Sequence, residues 1–362
     1  MKFEEFTLSE LVSFTFSDRY ERSTVIPVTR HRAISQARNP RASPEDVVLI
    51  IAWNDQDEII GYTGALPDWI NGDMDKKAAW NSCWWADPVK GREAAMPLLY
   101  RFIDRWKGKV MFSELTPGTF QIISRIGFFE SRIISGSRGY LRLPLSEILP
   151  EKKDIFRLVR WLLYAVDTVF NLFWELRLIA WTLLNQQTVK WQFAGSFDDE
   201  INSLVDHSGK NDLSRRGASE LTWIRDYPWV LEGRPDSYAR RYHFTSHARH
   251  VQHQWVKIEC GHDIRAFMVV TIRDGHLRIP CLYNTPGSMP GILNFLLHYM
   301  IGNKVLYISI YRSDLADYIM KSKTPFLFKK RIRRYFALSK ELTAITHENY
   351  ILQDGDGDCI FT

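Results

Sequence analysis

Two stretches, residues 97–110 (PLLYRFIDRWKGKV) and 292–305 (ILNFLLHYMIGNKV), align without a gap at an offset of 195, from 110 to 305. The same offset brings Tyr140 onto Tyr335 and Leu143 onto Leu338. A register that survives a helix and two strands constrains a chain of 362 residues strongly, because one supersecondary plan used twice sets both the number of cores and the order of their elements. Length gives the same answer: at about 150 residues per domain the chain holds two domains, with cores that need neither disulfides nor metal. Identities are few, so the competing reading is a chance match of two generic α/β segments. If the repeat is real, the two halves superpose.

In the first half, residues 47–53 and 59–66 are short, β-branched runs around the polar turn 54–58, which predicts an antiparallel hairpin. A third strand is expected at 78–86. Residues 91–106 place Ala95, Leu98, Leu99, Phe102, Ile103 and Trp106 at three- and four-residue steps, a helical period that stops at Lys107-Gly108. A strand at 110–115, a short helix from Pro117 through Arg125 and a last strand at 139–143 complete a β-β-β-α-β-α-β order. The second half repeats the hairpin at 251–259 and 264–272 around the turn 260–263, then a strand at 277–283.

Between the halves, residues 154–187 set Trp161, Trp174 and Trp181 among aliphatic residues. Asp167, Glu175 and Arg177 interrupt the run before about 20 apolar residues accumulate, which argues against a transmembrane span. Lys152, Lys153, Arg157 and Arg160 beside Trp-rich turns suit a helix lying in a membrane interface, and packing between the two halves is the plainer reading. The formal charge of +5 is too small to imply nucleic acid. The four cysteines form no Cys-x-x-Cys pair, which points away from a zinc site or disulfide framework and toward a reduced, cytoplasmic setting. No secretory signal is read in MKFEEFTLSE.

The sharpest local signal is WWADPVKGREAA, Trp84 to Ala95, which leaves a strand, turns at Pro88 and enters a helix. Backbone amides left unpaired at such a helix start, beside the positive end of its dipole, suit a phosphate or pyrophosphate, with Lys90 and Arg92 adding charge. An ordinary strand-to-helix turn with solvated basic residues is the alternative. Taken with the hairpin, the strand at 110–115 and the helix closing on Gly127-Phe128, the segment resembles the GNAT superfamily of acyl-CoA-dependent N-acetyltransferases over about residues 47–145. Through the repeat, the resemblance extends more weakly to the second half.

In that family the turn resembles Arg/Gln-x-x-Gly-x-Gly/Ala, and its amides hold the coenzyme A pyrophosphate; Lys90-Gly91-Arg92-Glu93-Ala94-Ala95 takes that place. The resemblance thus implies that Trp85, Ala86, Lys90, Gly91, Arg92, Ala94 and Ala95 bind acetyl-CoA or another acyl-CoA, with no metal. It also implies a thioester held where two parallel strands splay, and a carboxylate or relayed water that takes the proton of the attacking amine. The ends of the strands at 78–86 and 110–115 offer Asn81, Ser113 and Glu114, with Glu114 as the expected base and a surface carboxylate as the plainer reading. Glu93 stands where the family has glycine, and Ile123 where many members have a tyrosine acid. The corresponding turn of the second half, 284–291, has no Lys or Arg, so no cofactor is expected there.

Asp212, Arg215, Arg216 and Trp223 mix polar, basic and aromatic character as a sugar or nucleotide acceptor requires. A helix capped by Ser214 or Asp212 and anchored by Trp223 explains them equally well. His243, His247, His250 and His253 share a face only on a helix, and the strand reading separates them from any common metal. The acidic run 354–358 lacks the sixth-position glycine of a calcium loop. The basic run 329–334 reads as a solvated edge strand, or as a contact for anionic lipid or a phosphorylated substrate.

The expectation is therefore α/β (α+β): two GNAT-like mixed-sheet domains in tandem joined by a helical connector. Residues 1–150 are the acyl-CoA domain, 151–190 the connector, 191–345 a second domain without a pyrophosphate loop, and 346–362 a tail. The function read from the resemblance is acyl-CoA-dependent N-acetyl transfer to a small-molecule acceptor, an amino sugar or nucleotide sugar of polysaccharide synthesis, with no nucleic-acid partner. The alternative is a catalytically degenerate binding or scaffold protein with a peripheral membrane contact.

Overall fold

The computed structural model describes residues 1–186, 189–261, 263–346 and 349–361; Gln187 of the connector and His262 of the second hairpin turn lie outside the described residues. Two compact units emerge, and they interleave the chain instead of following the linear division expected from sequence. Unit one comprises residues 1–134, 197–251 and 334–362, and unit two residues 135–196 and 252–333.

Unit one begins with β1 (Lys2–Thr7) and three short helices, α1 (Leu8–Phe14), α2 (Asp18–Arg22) and α3 (Arg30–Gln36). It continues through β2 (Val47–Trp53), β3 (Ile59–Trp69), β4 (Lys77–Ala86), α4 (Ala95–Arg105), β5 (Val110–Phe112) and α5 (Pro117–Arg125). The chain leaves along β6 (Phe129–Tyr140) for α6 (Leu145–Lys152), α7 (Ile155–Leu158), α8 (Arg160–Leu184) and β7 (Lys190–Phe193). It returns for α9 (Asp199–Ser208), α10 (Ala218–Asp226) and a two-residue parallel pair, β8 (Leu231–Glu232) with β9 (His247–Ala248). Unit two is then completed by β10 (Val251–Cys260), β11 (Asp263–Arg273), β12 (His276–Asn284), α11 (Met289–Gly302), β13 (Tyr307–Ile310) and α12 (Ser313–Lys321). Finally β14 (Phe328–Ser339) leads back to unit one, α13 (Lys340–Thr343) and a 3-10 turn at Gly357–Phe361.

The strand order in unit one is β1-β2-β3-β4-β5-β14, and in unit two β7-β10-β11-β12-β13-β6. In each, the fourth step is the parallel one: Ala79 faces Val110, and His276 faces Tyr307, partners thirty-one residues apart in both (79 to 110, 276 to 307). The shared order realises the repeat. It also contains an exchange that spacing alone did not reveal. β5 takes β14 as its antiparallel neighbour through Ala337 and Phe112, whereas β13 takes β6 through Ile308 and Gly139. Each sheet is closed by the last strand of the other half of the sequence.

β2 shows why unit one is layered. Successive side chains of a strand point to opposite faces; Leu49, Ile51 and Trp53 pack with Leu11, Phe14 and Tyr20, while Ile50 and Ala52 pack with Leu98, Leu99 and Phe102 of α4. A strand covered on both faces must be apolar throughout, as VVLIIAW is. In unit two α11 is the central helix, burying Ile292, Phe295, Leu296 and Tyr299 among others, and its near-uniform apolar sequence follows from that. β1 and the three N-terminal helices were absent from the sequence expectation; β1 adds an antiparallel edge along β2, from Lys2 opposite Trp53.

Candidate functional site

In unit one, β4 and β5 are paired only at Ala79–Val110 and Trp80–Met111. Beyond those pairs β4 runs on to Ala86, but β5 ends at Phe112, short of the expected 110–115, because Glu114 enters the left-handed region at φ +52°. On its other side β4 stays paired with β3 up to Gly61 opposite Ala86. That ladder is broken once: Tyr62 faces Trp85 but Gly64 faces Ser82, one extra residue on β4, with Cys83 at φ +67°. A β-bulge of this kind leaves backbone groups outside the ladder and turns the strand. The parting strands open a cavity of about 240 Å³ lined by Asn81, Cys83, Trp84, Ser113, Glu114 and Asp358 among others.

Asp358 arrives from the far end of the sequence. Its carboxylate accepts a hydrogen bond from Ser82 Oγ at 2.7 Å and lies 3.9 Å from the Arg32 guanidinium. Burial lifts its pKa above the usual aspartate range, with Arg32 and the Ser82 hydroxyl pulling the other way. Cys83, also on the cavity wall, meets Arg32 Nη1 and Tyr242 Oη at 2.9 Å each, and burial raises its thiol as well, so it is held protonated. The last residues are clamped from several directions. Arg216 donates to the carbonyl oxygens of Gly355 at 3.1 Å and Gly357 at 3.4 Å, and Arg334 donates to that of Asp354 at 2.9 Å. Trp229 stacks on Phe361 with ring centroids 4.1 Å apart. Gly357 has φ +75°, and a Cβ there would lie 2.6 Å from Ser113 Oγ and 3.1 Å from the Trp80 ring, so only glycine lets the segment pass this close to β4 and β5.

The turn from β4 into α4 is partly self-satisfied. Asp87 Oδ1 accepts from the amides of Val89 at 2.9 Å and Lys90 at 2.8 Å, and Asp87 O from Gly91 at 3.0 Å. Those two amides hold the Asp87 carboxyl below its usual range. The amides of Arg92 and Glu93 have no protein acceptor among the described residues, and both side chains are exposed. Lys90 is tied to Glu58 at 2.8 Å, leaving Arg92 as the cation beside the open amides. Gly91 has a packing reason to be glycine: a Cβ would sit 1.9 Å from Ile60 O. α4 starts at Ala95 instead of Gly91, because residues 92–94 form a turn and Ala94 is its N-cap. Trp85 stacks on His243 at 4.2 Å beside this turn, and Ala86 ends the β3–β4 ladder.

The residues read from sequence fall into three places. Ser113 and Glu114 line the cavity; Trp85, Ala86, Lys90, Gly91, Arg92, Ala94 and Ala95 form the end of β4 and the start of α4. Asp212, Arg216 and Trp223 lie elsewhere, buried beneath the C-terminal segment. Asp212 accepts from Gln353 Nε2 at 3.0 Å, Arg216 reaches Asp356 at 3.4 Å and Asp68 at 3.7 Å, and Trp223 Nε1 donates to Ser35 O at 2.7 Å. Arg215 is half-buried, 3.7 Å from Asp206. The four histidines are dispersed: besides His243 on Trp85, His247 meets His31, His250 meets Glu232 and His253 meets Thr271. In the basic run, Lys329 caps the last carbonyls of α12 and Arg331 pairs with Asp317. Sequence reading missed Arg32, Ser82, Cys83, Tyr242 and Asp358; the one available signal was the acidic run 354–358, which it weighed only as a calcium loop.

The chain is similar to several solved structures. One is a probable N-acyltransferase from Enterococcus faecalis V583, at 12% identity over 94% of this chain and 73% of that one, with a TM-score of 0.48. Another is N-myristoyltransferase from Saccharomyces cerevisiae with bound myristoyl-CoA, at 9% identity over 93% and 79%, with a TM-score of 0.47. A third is a tandem GNAT protein from the clavulanic acid biosynthesis pathway, at 11% identity over 93% and 98%, with a TM-score of 0.45. No protein-family model matches the chain, and no curated protein matches it.

Proposed function

We propose that unit one is an acyl-CoA-dependent N-acyltransferase acting in the cleft between β4 and β5. The observation that carries the reading is the carboxylate of Asp358, raised in pKa and set in a cavity that two diverging parallel strands open beside a β-bulge. Such a cleft admits a thioester between strands, and bulge amides outside the ladder suit polarisation of its carbonyl. The open amides of Arg92 and Glu93, with the Arg92 guanidinium, would hold the pyrophosphate of the cosubstrate, while Glu93 turns its carboxylate to solvent.

The amine of the acceptor attacks the thioester carbon, the C–N bond forms, the C–S bond breaks, and Asp358 takes the proton that nitrogen releases. A base raised above the ordinary carboxylate range is better matched to this task than a solvated one. Glu114, expected from sequence as the base, is the exposed carboxylate on the wall of the same cavity and in this reading positions the acceptor instead. The acceptor itself is small: about 240 Å³ lies below the roughly 300–1,000 Å³ of drug-sized sites. Asn81, Ser113, Thr116 and Thr119 on the wall offer hydrogen bonds to hydroxyls, which supports an amino sugar.

Calorimetry with acetyl-CoA and longer acyl-CoAs, followed by a thiol-release assay against a panel of amino sugars, tests the reading. Asp358→Asn should lower kcat about 10²- to 10⁴-fold while leaving acyl-CoA affinity unchanged. Absence of heat with every acyl-CoA, or an unimpaired Asp358→Asn variant, overturns it.

A further inference from the structure

α8, in unit two, is inside out. Its polar residues Asp167, Asn171 and Glu175, at four-residue steps, face the protein. The Asp167 carboxylate accepts from the amides of Leu145 at 3.0 Å and Ser146 at 2.8 Å, capping the start of α6, whose own N-cap Pro144 supplies no side-chain bond. Asn171 pairs both ways with the backbone of Leu143, donating at 3.0 Å and accepting at 2.8 Å. Glu175 pairs with Arg142, which itself donates to Val305 O at 2.8 Å. Leu178 is buried on the same face, with Trp174 and Trp181 packed beside it. Of the three charges that interrupt the apolar run in the sequence, Asp167 and Glu175 are thus fixings of the helix to its unit, while Arg177 is exposed.

The opposite face carries the apolar residues. Trp161 is 73% exposed, Leu172 68%, Phe173 69%, Leu176 67% and Leu183 74%, along 25 residues or about 37 Å. At 100° per residue the exposed side chains from Trp161 to Leu184 sweep roughly 240°, from Tyr164 round to Phe170. This is more than twice the stripe that a neighbouring helix covers, and of the exposed residues along it Thr168 and Arg177 are the only two that are not apolar. No helix among the described residues is long and apolar enough to cross a membrane.

We infer that this face is a docking surface for an anionic lipid membrane, with α8 lying in the plane of the interface. A flat apolar medium covers an arc of this width, whereas a single partner helix covers a seam. The charges around it agree. Over residues 152–184 the exposed charged side chains are Lys152, Lys153, Arg157, Arg160 and Arg177 against Asp154 alone. Basic groups flanking an apolar face are attracted to acidic headgroups, and they would meet their own kind across a symmetric contact with a second copy of the chain. Trp161, 73% exposed on the apolar side, is an aromatic anchor of the kind an in-plane helix carries on that side.

Flotation of the full chain with phosphatidylcholine vesicles, with and without about 30% phosphatidylglycerol, tests this. The protein should float with the anionic vesicles, and the paired change Leu172→Glu with Leu176→Glu should cut the bound fraction by at least about tenfold. Both positions are exposed, so far-UV circular dichroism should be unaltered. Brominated lipids should quench tryptophan fluorescence, and Trp161→Phe should remove most of that quenching. No flotation of the unaltered protein, or flotation unchanged in the paired variant, overturns the inference. So does a dimer in sedimentation that the paired variant dissociates while vesicles bind neither protein, an outcome that makes a second copy the occupant.

Discussion

Asp356 and Asp358 are two residues apart and do opposite work. Asp358 borders the cavity, while Asp356 is only 1% exposed, takes the Gln353 amide at 3.0 Å and sits beside Arg216. Burial raises Asp356 to about 8, with Arg216 opposing the rise and Asp212 and Asp68 reinforcing it. The unfolded chain ionises this carboxyl in the ordinary range and the folded chain only near 8, so between those values the folded state binds more protons. Its contribution therefore turns against folding as pH rises through that window and levels off above about 8. Asp68 and Glu220, held low by Arg41 against the effect of burial, are ionised in the folded and the unfolded chain above the ordinary carboxylate range and add little slope there. Asp356→Asn should lose less stability than the unaltered chain between about pH 5 and about pH 9, read from urea unfolding at both ends. Parallel pH profiles would show that Asp356 is ionised throughout. Little at this scale was legible beforehand, because nothing local in residues 354–358 says that they will lie against Ser82 and Arg216.

Elements were more legible where the pattern is local. The hairpin at β2 and β3, the strand β4 and the helix α4 follow from alternation and from three- and four-residue steps, and they stand where those patterns put them. The boundaries that moved were set by backbone geometry that composition does not encode: Glu114 ends β5 early, and residues 92–94 delay α4. β1 was missed because KFEEFT carries three exposed or half-exposed charges and pairs on one edge only. At the turn between β4 and α4, Gly91→Ala puts a methyl 1.9 Å from Ile60 O and 2.7 Å from Asp87 N, both of them backbone. The turn must then lift off β3. Thermal unfolding should show a loss of about 2–3 kcal/mol, larger than a surface glycine-to-alanine change gives, and acyl-CoA heat should fall with it. An alanine variant as stable as the parent would mean that the turn floats free of the strand.

At the scale of the whole molecule the repeat was legible and the exchange of closing strands was not. An offset between two helices reports that a plan recurs, but it carries no information on which copy of the last strand sits beside which β5-like strand. The exchange makes a clear prediction for fragments. Residues 1–190 alone would leave the edge of β5, with Met111 and Phe112, without the strand that carries Ala337 and Leu338. They would also lack the 197–251 segment of unit one. This fragment should aggregate or melt without cooperativity, and co-expression with residues 191–362 should restore a cooperative transition. A fragment that melts cooperatively by itself would show that the borrowed strand is dispensable.

The clamped C-terminal segment has a further consequence, for the order of events during synthesis. Domains usually fold from the N-terminus as the chain emerges, at about 5–20 residues per second. Here the cleft walls of β4 and β5 are made before residue 113, yet the carboxylate between them is the side chain of residue 358. For the ~245 residues of translation in between, roughly 12–50 s at that pace, the nascent protein carries the cleft's strands without the group proposed to take the proton. A ribosome that terminates early therefore releases a chain without that carboxylate, and the proposed chemistry waits until Asp358 has been made and drawn in.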